Sequence, residues 1–330
     1  MRVLVTGGTG LLGNNLIRRL VERGDQVRAL ARGSSDPRPL AGLPIEIARG
    51  ELSDPAALAA AADGVECVVH AAGHVQLGWT GFDVHQRVNV EGTRRVAIAA
   101  RQARARMIHV SSVDAIGLGT RERHADEDTP FGNSVACPYV VTKHRAEEVV
   151  AEEIDNGLDA VIVNPCYMIG PWDWKPSSGR MLLQVARGRG VLAPKGGNTF
   201  CDPRDVATGI LLAIERGKTA RRYILGGESL SYLDAWRMMA EITGGARPWF
   251  RAGPLMRVGA GVIGDLVTFM TGREPDFNSA AVRMSSLPHY FSSHRAENEL
   301  GYTHRAAREA FQAAWDWFVE HGHAPPRPIA

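Results

Sequence analysis

Residues 6–13 read Thr6-Gly7-Gly8-Thr9-Gly10-Leu11-Leu12-Gly13. This segment follows an apolar, β-branched run at 2–6 and precedes a helix-period segment at 11–23, so it predicts a strand, a tight turn and a helix N-terminus. Such a helix N-terminus offers free N–H groups and a positive dipole end to a phosphate, and glycine lets the backbone approach it closely. The glycine spacing differs from the commoner GxGxxG, but its position predicts a dinucleotide site. The contacts we expect come from Gly7, Thr9, Gly10, Leu11, Leu12 and Gly13.

Strand-like and helix-like segments alternate through the first half of the chain. The predicted strands lie at 2–6, 26–31, 45–48, 66–71, 107–111 and 160–164. The predicted helices lie at 11–23, 55–62, 82–103 and 139–153. This alternation predicts an α/β fold, with a Rossmann-like, doubly wound parallel sheet covered by helices on both faces.

The pattern becomes looser and more helical after Pro165. We predict a dinucleotide-binding domain at 1–165, to which 200–225 returns. A smaller, mostly helical substrate-binding domain is expected at 166–199 and 226–322. The proline-rich tail at 323–330 is expected to be unstructured.

Composition excludes several classes of protein. The 330 residues include 38 Lys plus Arg and 36 Asp plus Glu, and the formal net charge of +2 argues against a nucleic-acid partner. A hydrophobic content of 45% argues against disorder. The four cysteines show no CxxC spacing, so we expect reduced thiols, no metal site and a cytoplasmic protein.

A second apolar stretch lies at 255–270. It carries Arg257 and Asp265 and is too short to span a bilayer, so no membrane insertion is expected. We favour a packed helix of the second domain over a helix lying on a membrane surface.

Residues after the second predicted strand bear on the choice of cofactor. NAD-binding proteins place an acidic residue there, whereas this chain has Arg32, two serines and Arg38. Guanidinium groups suit a 2′-phosphate, so the pattern favours NADP, with NAD possible if Arg32 only stacks on adenine. Further cofactor contacts are expected after the third and fourth strands, from Glu51, Leu52, Ala71, Ala72 and Gly73.

Tyr139 and Lys143 lie four residues apart, on one face of a predicted helix. An ammonium beside a phenol favours the phenolate, so we expect Lys143 to lower the pKa of Tyr139 and to reach the cofactor ribose. Tyr139 could then exchange a proton with a substrate oxygen while hydride moves at carbon. Ser112, at the end of the fifth predicted strand, is the expected hydrogen-bond donor to that oxygen.

Taken together, these motifs resemble the extended short-chain dehydrogenases/reductases over nearly the whole chain. The resemblance is strongest to dihydroflavonol-4-reductase-like enzymes and hopanoid-associated sugar epimerases. It implies that Ser112, Tyr139 and Lys143 are the catalytic triad and that Asn89 supports the active-site helix. It also implies a nicotinamide contact at Pro165 and a possible homodimer through the helices at 82–103 and 139–153.

One departure from the family pattern concerns the reaction. Sugar-nucleotide dehydratases place an Asp-Glu pair after the catalytic hydroxyl, whereas this chain has Val113 and Asp114. Dehydration is therefore disfavoured, and Asp114 is either a substrate contact, a second base or a capping residue.

Three functions stay open at this point. The favoured one is an NADP-dependent oxidoreductase that reduces a ketone or aldehyde of a small, hydrophobic or ring-containing substrate. A nucleotide-sugar epimerase with tightly bound NAD(P) is the enzymatic alternative. A protein that senses NADP(H) without turnover is the third, although it would be expected to have lost the tyrosine or the lysine.

Overall fold

The structure is a computed structural model that describes residues 1–325. Its strands are β1 (Arg2–Thr6), β2 (Gln26–Ala31), β3 (Glu46–Arg49), β4 (Cys67–His70), β5 (Arg106–Val110), β6 (Ala160–Pro165), β7 (Tyr167–Met168), β8 (Leu192–Ala193), β9 (Gly197–Cys201), β10 (Arg222–Leu225), β11 (Glu228–Ser231), β12 (Phe250–Arg251) and β13 (Pro288–His289). Its helices are α1 (Leu11–Glu22), α2 (Pro55–Ala62), α3 (Phe82–His85), α4 (Gly92–Gln102), α5 (Pro138–Asp155), α6 (Arg180–Ala186), α7 (Pro203–Arg216), α8 (Tyr232–Thr243), α9 (Pro254–Thr271), α10 (Ser279–Met284), α11 (His294–Leu300) and α12 (Ala307–Glu320). A π-helical turn at Gln86–Glu91 joins α3 to α4 within the predicted helix at 82–103.

Seven of these strands form one parallel sheet in the order β10-β6-β5-β4-β1-β2-β3. The chain runs outward from β1 to β3 and then crosses back to place β4 on the other side of β1. This reversal leaves a crevice at the carboxyl ends of β1 and β4, where open α/β sheets bind their ligands. The predicted doubly wound α/β fold is confirmed.

Both faces of the sheet are buried. One apolar core joins β1 and β2 to α1 and α7, and the other joins β4 and β5 to α2 and α4. Burial on both faces explains why these strands read as continuous apolar runs rather than as alternating patterns. It also leaves the loops at the strand ends as the places where polar side chains gather.

The second half of the chain builds a separate core around α8 and α12. Small sheets accompany it: β9 pairs with β7, β11 and β13, while β8 pairs with β12. β10 returns to the large sheet beside β6. The two-domain division stays a prediction, and of the predicted tail at 323–330 the last five residues lie outside the described part of the chain.

The expectation of a packed helix at 255–270 is wrong. α9 does form there, but its buried residues are only Gly261 and Gly264. Leu255 is 88% exposed and Phe269 is 87% exposed. Sequence reasoning treated apolar content as a sign of burial, whereas this helix contacts the rest of the protein through its glycines.

Candidate active site

The glycine-rich turn packs against the chain that follows β4. Gly7 has a left-handed φ of +76°, and a Cβ on it would lie 2.6 Å from backbone atoms of Ala71 and Ala72. A Cβ on Gly13 would lie 2.2 Å from the carbonyl oxygen of Gly7. Both positions therefore require glycine, because no side chain fits between the turn, the helix and the neighbouring strand end.

The N-terminus of α1 can accept an anion. Its N-cap residue, Gly10, forms no side-chain capping hydrogen bond, and the first turn carries no acidic residue. Thr9 is half-buried and Gly10 is exposed, whereas the Leu12 side chain lies in the core. The free N–H groups and the uncrowded backbone fit the pyrophosphate of a dinucleotide.

The two arginines expected to select the cofactor differ in their partners. Arg32 follows β2, is exposed, and forms no ion pair within residues 1–325. Arg38 instead pairs with Asp36, at 2.7 Å between Nη2 and Oδ2, and its Nε donates to both carboxylate oxygens at 3.1 Å. Arg38 lowers the pKa of Asp36 to about 2. Arg32 is therefore the guanidinium still available to a 2′-phosphate.

Other predicted cofactor residues lie at the carboxyl ends of their strands. Glu51 is exposed just after β3, and Leu52 packs against Gly92 at the start of α4. Gly73 is exposed after β4, and Pro165 is the buried last residue of β6. The structure thus distributes these residues along the sheet edge that holds the glycine-rich turn.

Ser112 caps the short helical turn that follows β5. Its Oγ accepts a hydrogen bond from the Asp114 backbone N–H and donates one to Asp114 Oδ2, both at 3.1 Å. The Ser112 carbonyl accepts from Asn164 Nδ2 at 2.9 Å, and the same amide donates to Glu147 on α5 at 2.6 Å. This network fixes the serine relative to β6 and α5.

Tyr139 lies in the first turn of α5, where Pro138 suits the helix start. Its ring packs with Cys137, Val140, Ala280 and Met284. Burial raises the pKa of Tyr139, the Asp114 carboxylate raises it further, and a hydrogen bond from the Ser112 side chain opposes the rise. The protein environment therefore favours the neutral phenol.

Lys143 lies one helical turn further along α5. Its Nζ donates to the carbonyl oxygen of Val110, the last residue of β5, at 3.0 Å. Burial lowers the pKa of Lys143 to about 8, against the opposing charges of Glu147 and Asp114. The expected lowering of the Tyr139 pKa by Lys143 does not set the net shift in the protein, because burial and Asp114 raise that pKa.

Comparison with known proteins identifies the family to which the chain belongs. A family model described as NAD dependent epimerase/dehydratase family matches residues 3–226. The chain belongs to this family. It is therefore an NAD(P)-dependent oxidoreductase of the extended short-chain dehydrogenase/reductase type.

Relatives of similar length exist within the NAD dependent epimerase/dehydratase family. The chain is 36% identical to "Sterol demethylase protein B" of Methylococcus capsulatus, over 98% of this chain and 99% of that protein. It is also 36% identical to "Putative dihydroflavonol 4-reductase" of Synechocystis, over 97% of this chain and 95% of that protein. The crystal structure of gox2253 superposes with a TM-score of 0.86 at 38% identity, covering 97% of this chain and 98% of that one.

Sequence reasoning missed a histidine beside Asp114. His289, the last residue of β13, is buried and places Nε2 3.9 Å from Asp114 Oδ1. No hydrogen bond satisfies that nitrogen within the described residues. No local motif signals this residue, because it lies 150 positions after Tyr139 and reaches the site only through the small sheet.

A second histidine, His85, lies near the Tyr139 ring. The His85 ring centroid lies 6.3 Å from that of Tyr139, and His74 packs on His85 at 4.5 Å. Burial lowers the pKa of His85 to about 4. His74 and His85 thus form a neutral aromatic wall next to the phenol.

Asn89 has the supporting position that the resemblance implied. Its Oδ1 accepts from the His74 backbone N–H at 2.7 Å, and its Nδ2 donates to Thr142 Oγ1 on α5 at 3.1 Å. The side chain therefore ties the loop after β4 to the helix that carries Tyr139 and Lys143.

Trp172 and Trp174 lie in a packing cluster. Their rings lie 6.0 and 5.2 Å from that of Trp317 on α12. The Arg18 guanidinium of α1 stacks over Trp172 at 3.3 Å from the ring centroid, and Asn15 Nδ2 donates to the Pro171 carbonyl at 3.0 Å. The loop after β7 is thereby attached to α1, the helix that begins at the glycine-rich turn.

Proposed function

We propose that the chain is an NADP-dependent reductase of a ketone or aldehyde on a small, hydrophobic, ring-containing substrate. One observation carries this proposal: Asp114 holds the Ser112 hydroxyl just after β5, and Lys143 Nζ, one helical turn after Tyr139, donates to the carbonyl oxygen of Val110 at the end of β5. All three therefore meet at the sheet edge where the glycine-rich turn lies.

The chain's own residues suit this chemistry. When bound, the nicotinamide supplies the hydride that the carbonyl carbon accepts. Ser112 Oγ would donate a hydrogen bond to the carbonyl oxygen, and Tyr139, kept neutral by burial and by Asp114, would transfer its proton to it. Lys143 would hold the cofactor ribose from its anchored position on α5.

Apolar walls support a hydrophobic substrate. Leu77 and Val135 pack against the cluster that surrounds Tyr139. A nucleotide diphosphate would need free cationic donors, yet Arg180 is paired with Asp276, and Arg189 donates to Gln184. The ion pair of Arg180 with Asp276 therefore favours a ring ketone over a nucleotide sugar.

The preference for NADP rests on Arg32, whose guanidinium is exposed and unpaired among the described residues. Asp36, four residues later, is held by Arg38 and is thereby neutralised toward a phosphate. Two further proposals accompany this one: a cytoplasmic location, and a homodimer formed through α4 and α5.

The test is NADPH oxidation measured against steroid ketones, flavanone-type ketones, short aldehydes and nucleotide sugars. We expect turnover with the ring ketones and a lower kcat/KM with NADH. Epimerised nucleotide sugar with no net NADPH consumption, together with cofactor retained through purification, would instead establish the epimerase. Failure of every compound with NADPH bound would favour a sensor.

A further inference from the structure

α9 presents a continuous apolar stripe to the outside of the protein. Five of its exposed side chains recur at helical spacing and therefore fall on one face. They are Leu255, Val258, Val262, Leu266 and Phe269. The adjacent stripe is also apolar and exposed, and it consists of Met256, Ile263 and Met270. An ordinary surface helix of a water-exposed protein has the opposite orientation.

The polar groups of α9 face the protein instead. Arg257 Nη1 donates to Ser286 Oγ at 3.0 Å, and Asp265 Oδ1 accepts from the Ser279 backbone N–H at 2.9 Å. A Cβ on Gly264 would lie 2.8 Å from Asn278 Cα, so the helix packs closely through its glycines. Both charges of the helix are thus used to attach it, and its apolar side chains are left outside.

Exposed aromatic residues extend this surface at both ends of the helix. Trp249, 71% exposed, and Phe250 precede α9, and Phe277 follows it. A contiguous exposed apolar surface of this kind marks an interaction site. Tryptophan and phenylalanine beside an amphipathic helix are typical of helices that lie in the headgroup region of a bilayer.

The exposed charges around this surface that have no ion-pair partner among the described residues are positive. Arg247, Arg251 and Arg273 are exposed, and none of them forms an ion pair within residues 1–325. The nearby acidic groups are occupied: Glu274 accepts from the Trp79 and Thr80 backbone N–H groups at 2.6 and 3.2 Å. Asp276 is paired with Arg180. The charge around the apolar surface is therefore complementary to anionic lipid headgroups.

We propose that α9, with Trp249 and Phe250, is a docking surface for a lipid bilayer that carries anionic headgroups. The helix would lie in the plane of the membrane, and within residues 1–325 no helix is long and apolar enough to cross one. α9 packs on α10, whose Ala280 and Met284 contact Tyr139. A cleft of about 640 Å³ between α9 and Ser134 adjoins this contact. Docking therefore brings the active-site wall next to the bilayer.

The test is sedimentation of the full chain with phosphatidylcholine vesicles that contain or lack phosphatidylglycerol. We expect cosedimentation with the anionic vesicles that weakens as salt is raised. Replacing Leu266→Glu and Phe269→Glu together should reduce the vesicle affinity by about tenfold or more, because two apolar side chains no longer enter the headgroup region. Ile47→Glu, on the exposed side of β3, is the control and should bind as the wild type does.

Light scattering of the same proteins tests the alternative that this surface binds a second copy of the chain. If the wild type sediments with neither vesicle, or if the double substitution converts a dimer into a monomer without changing vesicle binding, the proposal is overturned. An unchanged thermal unfolding midpoint in the double variant shows that it is folded, since both side chains are exposed. Vesicle binding requires no turnover, so its result does not depend on the proposed reductase activity.

Discussion

Ser112 and Asp114 are joined by two hydrogen bonds of 3.1 Å, one from the Asp114 backbone N–H to Ser112 Oγ and one from Ser112 Oγ to Asp114 Oδ2. The Ser112 hydroxyl, which we expect to donate a hydrogen bond to a substrate oxygen, thus donates to the Asp114 carboxylate in this structure. The same carboxylate raises the pKa of Tyr139. Asp114 therefore acts on both proton-handling groups of the site.

Replacing Asp114→Asn should shift the pH profile of alcohol oxidation. In that direction Tyr139 acts as a phenolate base, and removal of the negative charge lowers its pKa. The acid limb of kcat/KM should move to lower pH by about one unit. Asp128→Asn, an exposed carboxylate paired with Arg295, is the control and should leave the limb in place. If the acid limb of kcat/KM in Asp114→Asn is unchanged or moves to higher pH, Asp114 does not raise the pKa of Tyr139.

Tyr139→Phe should lower kcat for carbonyl reduction by about 100-fold or more, because the proton donor is lost. NADPH affinity, measured by fluorescence titration, should change little. Tyr223→Phe is the control, because it removes the same hydroxyl oxygen from a tyrosine that donates to Glu299 at 3.0 Å. We expect this variant to have normal turnover. Wild-type turnover in Tyr139→Phe would refute the assignment of the acid.

Arg32→Ala should reduce kcat/KM with NADPH by about tenfold or more and leave the value with NADH nearly unchanged. Arg38→Ala should have a smaller effect, because that guanidinium is already bound to Asp36. Steady-state kinetics with both cofactors measures the difference. Equal losses of kcat/KM with NADPH and with NADH in Arg32→Ala would show that Arg32 does not bind the 2′-phosphate.

Gly13→Ala should abolish dinucleotide binding or unfold the protein, because the new methyl group would lie 2.2 Å from the Gly7 carbonyl oxygen. Gly33→Ala is the matched control, since a Cβ there meets nothing within 4 Å. Thermal unfolding and NADPH titration of both variants test this. Normal binding by Gly13→Ala would mean that the turn and α1 separate more easily than their packing indicates.

The free energy of unfolding should fall on acidification. His70 is buried between Thr6 Oγ1, at 2.7 Å, and Thr93 Oγ1, at 3.1 Å, and burial lowers its pKa to about 3. The unfolded chain takes up a proton near the ordinary pKa of 6.5, whereas the folded chain does not. Stability from this residue is therefore complete above about pH 6.5 and is lost as the pH falls toward 3, by roughly 1 kcal/mol per pH unit.

Urea unfolding at several pH values measures that slope. His70→Gln should make it shallower, and His294→Gln, at an exposed position, should leave it unchanged. A slope that is flat or of opposite sign in the wild type would rule out a neutral buried His70.

Local pattern was sufficient for much of the fold. The bounds of β1, β2 and α2 match the predicted segments because apolar runs, turn glycines and the Asp54 cap act locally. The three candidate catalytic residues could also be selected from local pattern, since Ser112 lies just after a strand and Tyr139 and Lys143 lie in the first two turns of one helix; their roles stay a prediction. Contacts between distant segments were not accessible: His289 reaches Asp114 across 175 residues.

Burial and pairing were the other properties that the sequence could not provide. The Lys143–Tyr139 spacing is a local fact, but the sign of the Tyr139 pKa shift depends on how deeply α5 is buried. The sequence predicts that Arg38 is a free cation, whereas in the structure its side chain forms an ion pair with Asp36. The apolar sequence of α9 predicts a buried helix, whereas the structure shows that this helix packs on the protein through its glycines.

The hydrogen bond between Asn15 and Pro171 joins α1, which begins at the glycine-rich turn, to the loop after β7. A change in α1 on cofactor binding would reach that loop directly, and Arg18 stacked on Trp172 reinforces the connection. If cofactor binding orders the loop, substrate must raise the affinity for cofactor by the same factor, since thermodynamic linkage is reciprocal. For the proposed reductase, this connection predicts ordered addition, with the dinucleotide first and the carbonyl compound second.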